Sequence, residues 1–298
     1  MSETYTPLTE AINPATAAID SLSAREIVAL IAEEDARVAP AVAAVGDAIA
    51  EVAERAVDGI RRGGRLIYVG AGTSGRLGVL DAAECPPTYS TPPELVVGLI
   101  AGGEQALTRA VEAVEDSPDS GVRDIAAAAV GPHDTVVGLA ASGRTPYVLG
   151  AVAEARRRGA FTAGVTCSHP SPLSAAVEVV IAPLVGPEVI AGSTRMKAGT
   201  AQKLVLNSLS TTIMVRLGKT YGNLMVDLQP LNEKLRRRSV NILVAATGLP
   251  PERATAVLAA AGDLKTALVM ILAGVDADEA RARLRASGGH VRAALAGG

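Results

Sequence analysis

The sequence predicts an α/β protein with a parallel five-stranded sheet, helices on both faces and a small all-helical C-terminal unit. Short apolar runs alternate with helix-like segments between about residues 65 and 182, which is the pattern of strands joined by crossover helices. The chain of 298 residues is 49% hydrophobic but holds no Trp and one Phe. Its core must therefore consist of Ala, Val, Leu and Ile, which suits parallel strands covered by Ala-rich helices.

The elements that precede the sheet are helical. Ser23, followed three residues later by Glu26, forms a capping-box pattern that predicts a helix over Ala24–Glu34. A second helix is expected over Pro40–Arg62. Gly63-Gly64 then ends that helix and leads into the first strand.

Strand and helix patterns alternate from there. The predicted strands are Leu66–Val69, Leu95–Ile100, Thr135–Leu139, Thr162–Thr166 and Val177–Ala182. The predicted helices are Gly75–Ala83, Gln105–Glu115, Gly121–Val130, Pro146–Arg158 and Arg195–Leu217, and then Glu252–Ala261, Leu264–Leu272 and Ala277–Arg285 near the C-terminus. Tyr221–Arg238 is polar and contains a proline, which predicts a loop with short helices. We divide the chain into an N-terminal helical segment (1–55), the α/β domain (56–238) and a helical C-terminal domain (239–298).

Composition excludes several classes of function. The net charge is −3, so nothing indicates a nucleic-acid partner or an anionic membrane surface. The two cysteines, Cys85 and Cys167, lack the spacing of metal ligands and are typical of reduced thiols in a cytoplasmic protein. No apolar run approaches the roughly 20 residues of a membrane span, and no histidine has a partner at metal or triad spacing. We expect no metal and no other cofactor.

A turn rich in glycine and hydroxyl side chains follows the first strand. Its sequence, Gly70-Ala71-Gly72-Thr73-Ser74-Gly75, matches the dinucleotide fingerprint literally. That fingerprint also requires an acid at the end of the next strand, and no acid appears there before Glu104. A simple tight turn is the other reading. Thr73 and Ser74 add hydroxyls that favour an anionic sugar ligand, because such a turn presents free N–H groups at a helix N-terminus.

Two further clusters have the same character. Ser142, Gly143 and Thr145 follow the third strand, and their hydroxyls and N–H groups match three phosphate oxygens. Ser193 and Thr194 open the long helix just before Lys197, which either contributes charge or braces the site. Ordinary helix capping remains the alternative in both clusters. Several such turns at one edge of a sheet predict a sugar phosphate more than a dinucleotide.

Two carboxylates are candidates for acid–base chemistry. Glu84 stands beside Pro86-Pro87, which predicts a position at a helix end near the ligand-binding edge of the sheet. Glu115 and Asp116 are predicted to end another helix, where negative charge is electrostatically unfavourable. Two carboxylates that flank a substrate can divide general acid and general base work. Exposed surface acids are the other interpretation.

Several long strings together identify a resemblance. They are GRLIYVGAGTSGRLGVLDAAECPP (Gly64–Pro87), ASGRTPY (Ala141–Tyr147), GSTRMKAGTAQKLVL (Gly192–Leu206) and GNLMVD (Gly222–Asp227). In these strings the chain resembles the N-acetylmuramic acid 6-phosphate etherases, which belong to the sugar isomerase (SIS) domain superfamily. The resemblance implies cleavage of the D-lactyl ether by elimination of lactate and addition of water. The products are N-acetylglucosamine 6-phosphate and D-lactate.

The resemblance also implies roles for particular residues. Glu84 matches the family's acid, which protonates departing lactate, and Glu115 matches the base at C2. The family is typically homodimeric, so a homodimer is expected here. A non-catalytic sugar-phosphate regulator of the same fold is the alternative, although a regulator has no need of both glutamates. A ketose–aldose isomerase would share the phosphate turns but would not account for the ECPP string.

Overall fold

The computed structural model describes residues 8–111, 113–228 and 233–297. Its strands are β1 (Leu66–Gly70), β2 (Val96–Ile100), β3 (Thr135–Leu139), β4 (Phe161–Val165), β5 (Val179–Ile181), β6 (Thr220–Tyr221) and β7 (Leu224–Met225). Its helices up to residue 216 are α1 (Ala24–Asp35), α2 (Val38–Ala43), α3 (Gly46–Arg61), α4 (Gly72–Tyr89), α5 (Gln105–Thr108), α6 (Pro118–Ala127), α7 (Pro146–Arg157), α8 (Pro172–Ala176) and α9 (Lys197–Arg216). Beyond them lie α10 (Glu233–Thr247), α11 (Pro251–Ala261), α12 (Leu264–Ala273), α13 (Ala277–Ala286) and α14 (Val291–Ala296).

The predicted five-stranded parallel sheet is confirmed. Its strand order is β2-β1-β3-β4-β5, and every pairing is parallel. The central strands β1 and β3 are buried at all positions, because helices cover both faces. The carboxyl ends of all strands therefore lie at one edge, here called the carboxyl edge, where α/β sheets bind ligands.

The chain divides into two compact units. The first contains the described residues up to Ala83 together with Pro93–Ser210, and it holds the sheet. Its main core packs β1 and β3 side chains against Tyr147, Val148 and Val152 of α7, all of them fully buried. The second unit contains Glu84–Pro92 and the described residues from Thr211 onward, with a core formed by α10–α14 and the β6–β7 hairpin. The boundary predicted after residue 238 falls inside α10.

The start of the chain follows the prediction in one helix and differs in the next. The capping box is present, since Glu26 N–H bonds Ser23 Oγ and Ser23 N–H bonds the Glu26 carboxylate. The single helix expected over Pro40–Arg62 is instead divided into α2 and α3. Val45 leaves the helical region, at φ −108° and ψ 18°, and Gly46 becomes the first residue of α3. A β-branched residue followed by glycine is a weak point in a helix, so the chain bends there.

Two helix ends near the acids differ from the prediction for local reasons. Helix α4 does not stop before Pro86 and Pro87 but includes both of them. Proline removes an N–H from the helix, yet Ser90 N–H still reaches Pro86 O at 3.0 Å and closes the last turn. The helix expected over Gln105–Glu115 ends at Thr108.

The C-terminal region is helical as predicted, with one addition. The loop expected over Tyr221–Arg238 contains the antiparallel β6–β7 pair and the first turns of α10, while residues 229–232 lie outside the described part of the chain. In the described residues no single helix is long and apolar enough to cross a membrane. Helices α11 and α12 reach that length and composition only together, and they are bent by 113° relative to each other.

Candidate active site

The first turn at the carboxyl edge joins β1 to α4. Gly72 adopts a left-handed conformation with φ +52°, and a Cβ atom on Gly75 would lie 2.7 Å from Gly70 O. Both glycines are therefore required by the backbone. Within the described residues, the N–H groups of Thr73 and Ser74 have no backbone acceptor. The N-terminus of α4 is thus open to an anion or to a polar ligand.

The second turn joins β3 to α7. Gly143 has φ +68°, and a Cβ atom there would lie 2.3 Å from Ser171 Oγ, so only glycine fits. Ser142 Oγ accepts the N–H of Arg144 at 3.3 Å. The Thr145 side chain makes no capping bond to its own helix, which removes the capping explanation for that hydroxyl. The N–H groups of Tyr147 and Val148 also lack a backbone acceptor among the described residues.

The third cluster, at the start of α9, differs from the first two. Ser193 and Thr194 are half-buried and precede the helix. The helix N-terminus already holds an anion, because the Glu188 carboxylate accepts the N–H of Lys197 at 3.0 Å and that of Ala198 at 2.9 Å. The expectation that this N-terminus is a free anion site is therefore wrong, since the chain supplies the anion itself.

Lys197 is fully buried, and its ammonium group forms an ion pair with Glu34. Asn13 Nδ2 also donates to Glu34 at 2.9 Å, and Arg37 lies 3.1 Å from the other Glu34 oxygen. Burial tends to raise the pKa of Glu34, but the hydrogen bond and charge of Lys197 lower it overall. Of the two roles considered for Lys197, this geometry favours the bracing one.

Contacts inside the first unit bring the three clusters together. Ser74 Oγ lies 2.8 Å from Gln202 Oε1, which joins the first turn to α9. A Cβ atom on Gly199 would lie 3.5 Å from Thr73 Cγ2. The second turn is joined through Cys167, whose N–H donates to Ala141 O at 2.8 Å and whose Sγ lies 3.9 Å from Ala198 O.

The sequence predicted that Glu115 ends a helix, and this prediction is wrong. Glu115 lies in a 3-10 turn over Val114–Asp116, directly before α6. The predicted helix stops early because Arg109 is extended, at φ −131° and ψ 153°. Ala113, at φ +61°, directly precedes the turn that holds Glu115. Glu115 is exposed, and at the N-terminal side of α6 its charge is favourable instead of unfavourable. Val114 would contact a Cβ atom on Gly102, so the turn lies beside the carboxyl end of β2.

Glu84 lies within α4, in the part of that helix that belongs to the second compact unit. It is exposed, one residue before the buried Cys85. The Pro-Pro pair predicted a position at the helix end, but Glu84 lies in the body of α4. The other thiol, Cys167, is held protonated, because burial and the charge of Glu188 raise its pKa to about 12.

Sequence reasoning missed two buried acids, Asp81 and Glu188. Asp81 on α4 is buried and accepts hydrogen bonds from Tyr68 Oη at 2.9 Å and from Asn207 Nδ2 and Ser210 Oγ at 3.1 Å each. Burial raises the pKa of Asp81 even though these hydrogen bonds oppose the shift. Glu188 is also buried, and its carboxylate accepts two backbone N–H groups. No sequence pattern marks either acid, because Asp81 bonds side chains up to 129 residues away and Glu188 bonds backbone N–H groups outside its own turn.

Among the described residues, no group of three His, Cys, Asp or Glu side chains could hold a metal ion. The candidate site of the first unit is therefore described by its hydroxyls, its open N–H groups and the exposed carboxylate of Glu115.

Comparison with known proteins gives both domain and family matches. The model of the glucokinase regulatory protein N-terminal SIS domain matches residues 47–156, and that of the SIS domain matches residues 107–211. The chain is 57% identical to the N-acetylmuramic acid 6-phosphate etherase of Cutibacterium acnes over 96% of this chain and 95% of that protein. It is 54% identical to the protein of that name from Rubrobacter xylanophilus, over 98% and 96%. It is 53% identical to the protein of that name from Photorhabdus laumondii, over 96% of this chain and 95% of that protein.

Proposed function

We propose, because this chain belongs to the N-acetylmuramic acid 6-phosphate etherase family, that Glu84 and Glu115 divide the acid–base work of ether cleavage. The chain is an etherase, a carbon–oxygen lyase that acts on an amino sugar phosphate. The observation that carries this conclusion is 57% identity to a named etherase over 96% of the chain. The relatives' name favours the enzyme over a regulator without catalysis.

The proposed reaction begins with the open-chain form of the sugar, whose C1 aldehyde acidifies the proton on C2. The Glu115 carboxylate removes that proton, and the electron pair forms the C2–C3 double bond as the C3–O bond breaks. The Glu84 carboxylic acid gives its proton to the departing lactate oxygen. Water then adds to C3 of the unsaturated aldehyde, giving up a proton to Glu84, and Glu115 returns a proton to C2. Both acids are exposed, as residues that must reach substrate are expected to be.

The phosphate is proposed to bind at the second turn. Ser142 and Thr145 supply hydroxyls there, Gly143 lets the backbone approach closely, and the α7 N-terminus presents unused N–H groups. Thr73, Ser74, Ser193 and Thr194 are proposed to surround the sugar. Lys197 supports this arrangement through its ion pair with Glu34 and does not need to touch the substrate.

The cellular setting is also a proposal. We propose a cytoplasmic homodimer that acts in the recycling of peptidoglycan-derived amino sugars. The family resemblance and the net charge of −3 support a protein without nucleic-acid or membrane partners. Light scattering on the purified protein tests the dimer.

The reaction is tested by incubating the purified protein with N-acetylmuramic acid 6-phosphate in water labelled with oxygen-18. Elimination followed by addition produces unlabelled D-lactate and a product sugar labelled at C3. Label in the lactate would mean direct displacement at the lactyl carbon and would contradict the roles given to both glutamates. Binding of the sugar phosphate in a calorimeter without lactate release would favour the regulator instead.

A further inference from the structure

Glu188 has no role in the reaction described above, yet the residue is 1% exposed and each of its carboxylate oxygens accepts a hydrogen bond. Its two carboxylate oxygens accept the N–H groups of Lys197 and Ala198, at 3.0 and 2.9 Å. These are the first N–H groups of α9, a helix of 20 residues. The carboxylate thus occupies the position where an anionic ligand binds at a helix N-terminus.

Two other helices that begin at the carboxyl edge, α4 and α7, lack such an internal anion. In the described residues, the leading N–H groups of α4 at Thr73 and Ser74 have no backbone acceptor, and neither do those of α7 at Tyr147 and Val148. Glu188 therefore occupies at α9 the position that is open at α4 and α7. A phosphate dianion is directed to the open positions and repelled from the closed one.

The segment that follows Glu188 is anchored to the start of the chain at two points. Thr16 Oγ1 donates to Val189 O at 2.8 Å, and Gly192 N–H donates to Thr9 O at 3.1 Å. The N–H groups of Ser193 and Thr194 bond within the same loop, to Ile190 O and Gly192 O at 3.0 Å each. The two hydroxyl residues are therefore held by their own backbone and by the segment that Glu188 fixes to α9.

We infer that Glu188 is a positioning residue of the substrate site, a built-in anion that fixes the Ser193–Thr194 loop on α9 and leaves phosphate to the other two turns. This inference rests on the proposed function, because it assumes that the loop contacts the sugar. Glu188 acts through Ser193 and Thr194 and does not touch the reacting atoms. Its loss should therefore weaken substrate binding more than it slows the chemical step.

The test is chemical rescue of the Glu188→Ala variant. Removal of the carboxylate leaves two buried N–H groups unpaired next to a space the size of a small carboxylate. We expect KM for N-acetylmuramic acid 6-phosphate to rise about tenfold, with kcat within about twofold of the wild type. Added formate, a carboxylate that fits the space, should lower KM most of the way back to the wild-type value. Formamide, which is neutral and of similar size, should not.

Two further variants make the result decisive. Glu178→Ala is the matched control, because exposed Glu178 also accepts a backbone N–H, from Thr162 at 2.8 Å, near the amino end of β4. Its KM should not respond to formate. Glu188→Gln keeps the volume but turns an NH₂ group toward one of the two N–H donors, so its KM should rise as well. A wild-type KM in Glu188→Gln overturns the inference whether or not the Ala variant folds.

Thermal unfolding separates this inference from the proposed function. Formate should raise the Tm of Glu188→Ala and leave that of the wild type and of Glu178→Ala unchanged. If the wild type releases no D-lactate, the proposed function fails, while the formate-dependent Tm still supports or overturns the anion role of Glu188. A folded Glu188→Ala protein that shows no response to formate in either Tm or KM would overturn it.

Discussion

Replacement of Lys197 by Met tests whether the buried ion pair braces the site. The Lys197 side chain is 0% exposed and that of Glu34 is 2% exposed. Loss of one partner from a buried pair costs about 3–5 kcal/mol, because the other charge stays buried without compensation. Asn13 still donates to Glu34 at 2.9 Å, and Arg37 remains 3.1 Å away. We therefore expect the lower end of that range, about 3 kcal/mol.

A double replacement separates the effect of the two charges on stability from the effect of changed side-chain volume. K197M with E34Q removes both charges, and the remaining cost should fall to about 1 kcal/mol because no buried charge is left unpaired. The assay is urea unfolding at pH 7, followed by far-ultraviolet circular dichroism because the chain has no Trp. Lys203→Met, an exposed lysine on the same helix, is the control and should stay within about 0.5 kcal/mol of the wild type.

The reasoning fails if the single replacements simply add. Strict additivity of K197M and E34Q would mean that the two side chains do not depend on each other. A K197M variant as stable as the Lys203 control would equally refute the buried pair.

Other predictions concern catalysis, the phosphate turn and acid stability. Glu115→Gln should abolish exchange of the C2 proton with deuterated water, whereas Glu84→Gln should keep exchange but lose D-lactate release about 10²–10⁴-fold, as NMR and a lactate assay would record. Gly143→Ala should cost about 2–4 kcal/mol and raise KM, because its Cβ would lie 2.3 Å from Ser171 Oγ at φ +68°; an unchanged KM would contradict the phosphate site. Hydrogen bonds from Arg157 and Arg158 lower the pKa of Glu154 to about 2, so its stabilisation is present above its ordinary value of 4.5 and is lost as pH falls toward 2. The gap in urea midpoint between the wild type and Glu154→Gln should narrow over that range, and a constant gap would exclude the linkage.

The sheet could be predicted because its signals are local. Apolar runs such as Leu66–Gly70 and Thr135–Leu139 form buried strands wherever helices cover both faces. Ser23 and Glu26 formed the predicted capping box, since both partners lie within one helical turn. The turns after β1 and β3 could also be predicted, because each contains a glycine, Gly72 or Gly143, that adopts the left-handed conformation.

Helix ends near the acids were harder to predict because they depend on single backbone choices. Pro86 and Pro87 stayed inside α4 since a later hydrogen bond, from Ser90 N–H to Pro86 O, closed its final turn. The extended conformation of Arg109 ended the helix expected over Gln105–Glu115, and Glu115 lies instead in a 3-10 turn before α6. Propensity is a weak guide to such boundaries when neighbouring segments can supply the missing bonds.

The sequence alone determined the α/β class, the open turns and the two candidate acids, since each depends on residues that are neighbours in the chain. Only the tertiary structure decided what the charged groups near α9 do. Glu34 and Lys197 are 163 residues apart in sequence, and Glu188 bonds the first two N–H groups of α9 from the loop that precedes this helix. A buried charge needs a partner wherever the fold provides one. For that reason Lys197, which in sequence resembles a phosphate ligand, forms its ion pair with Glu34.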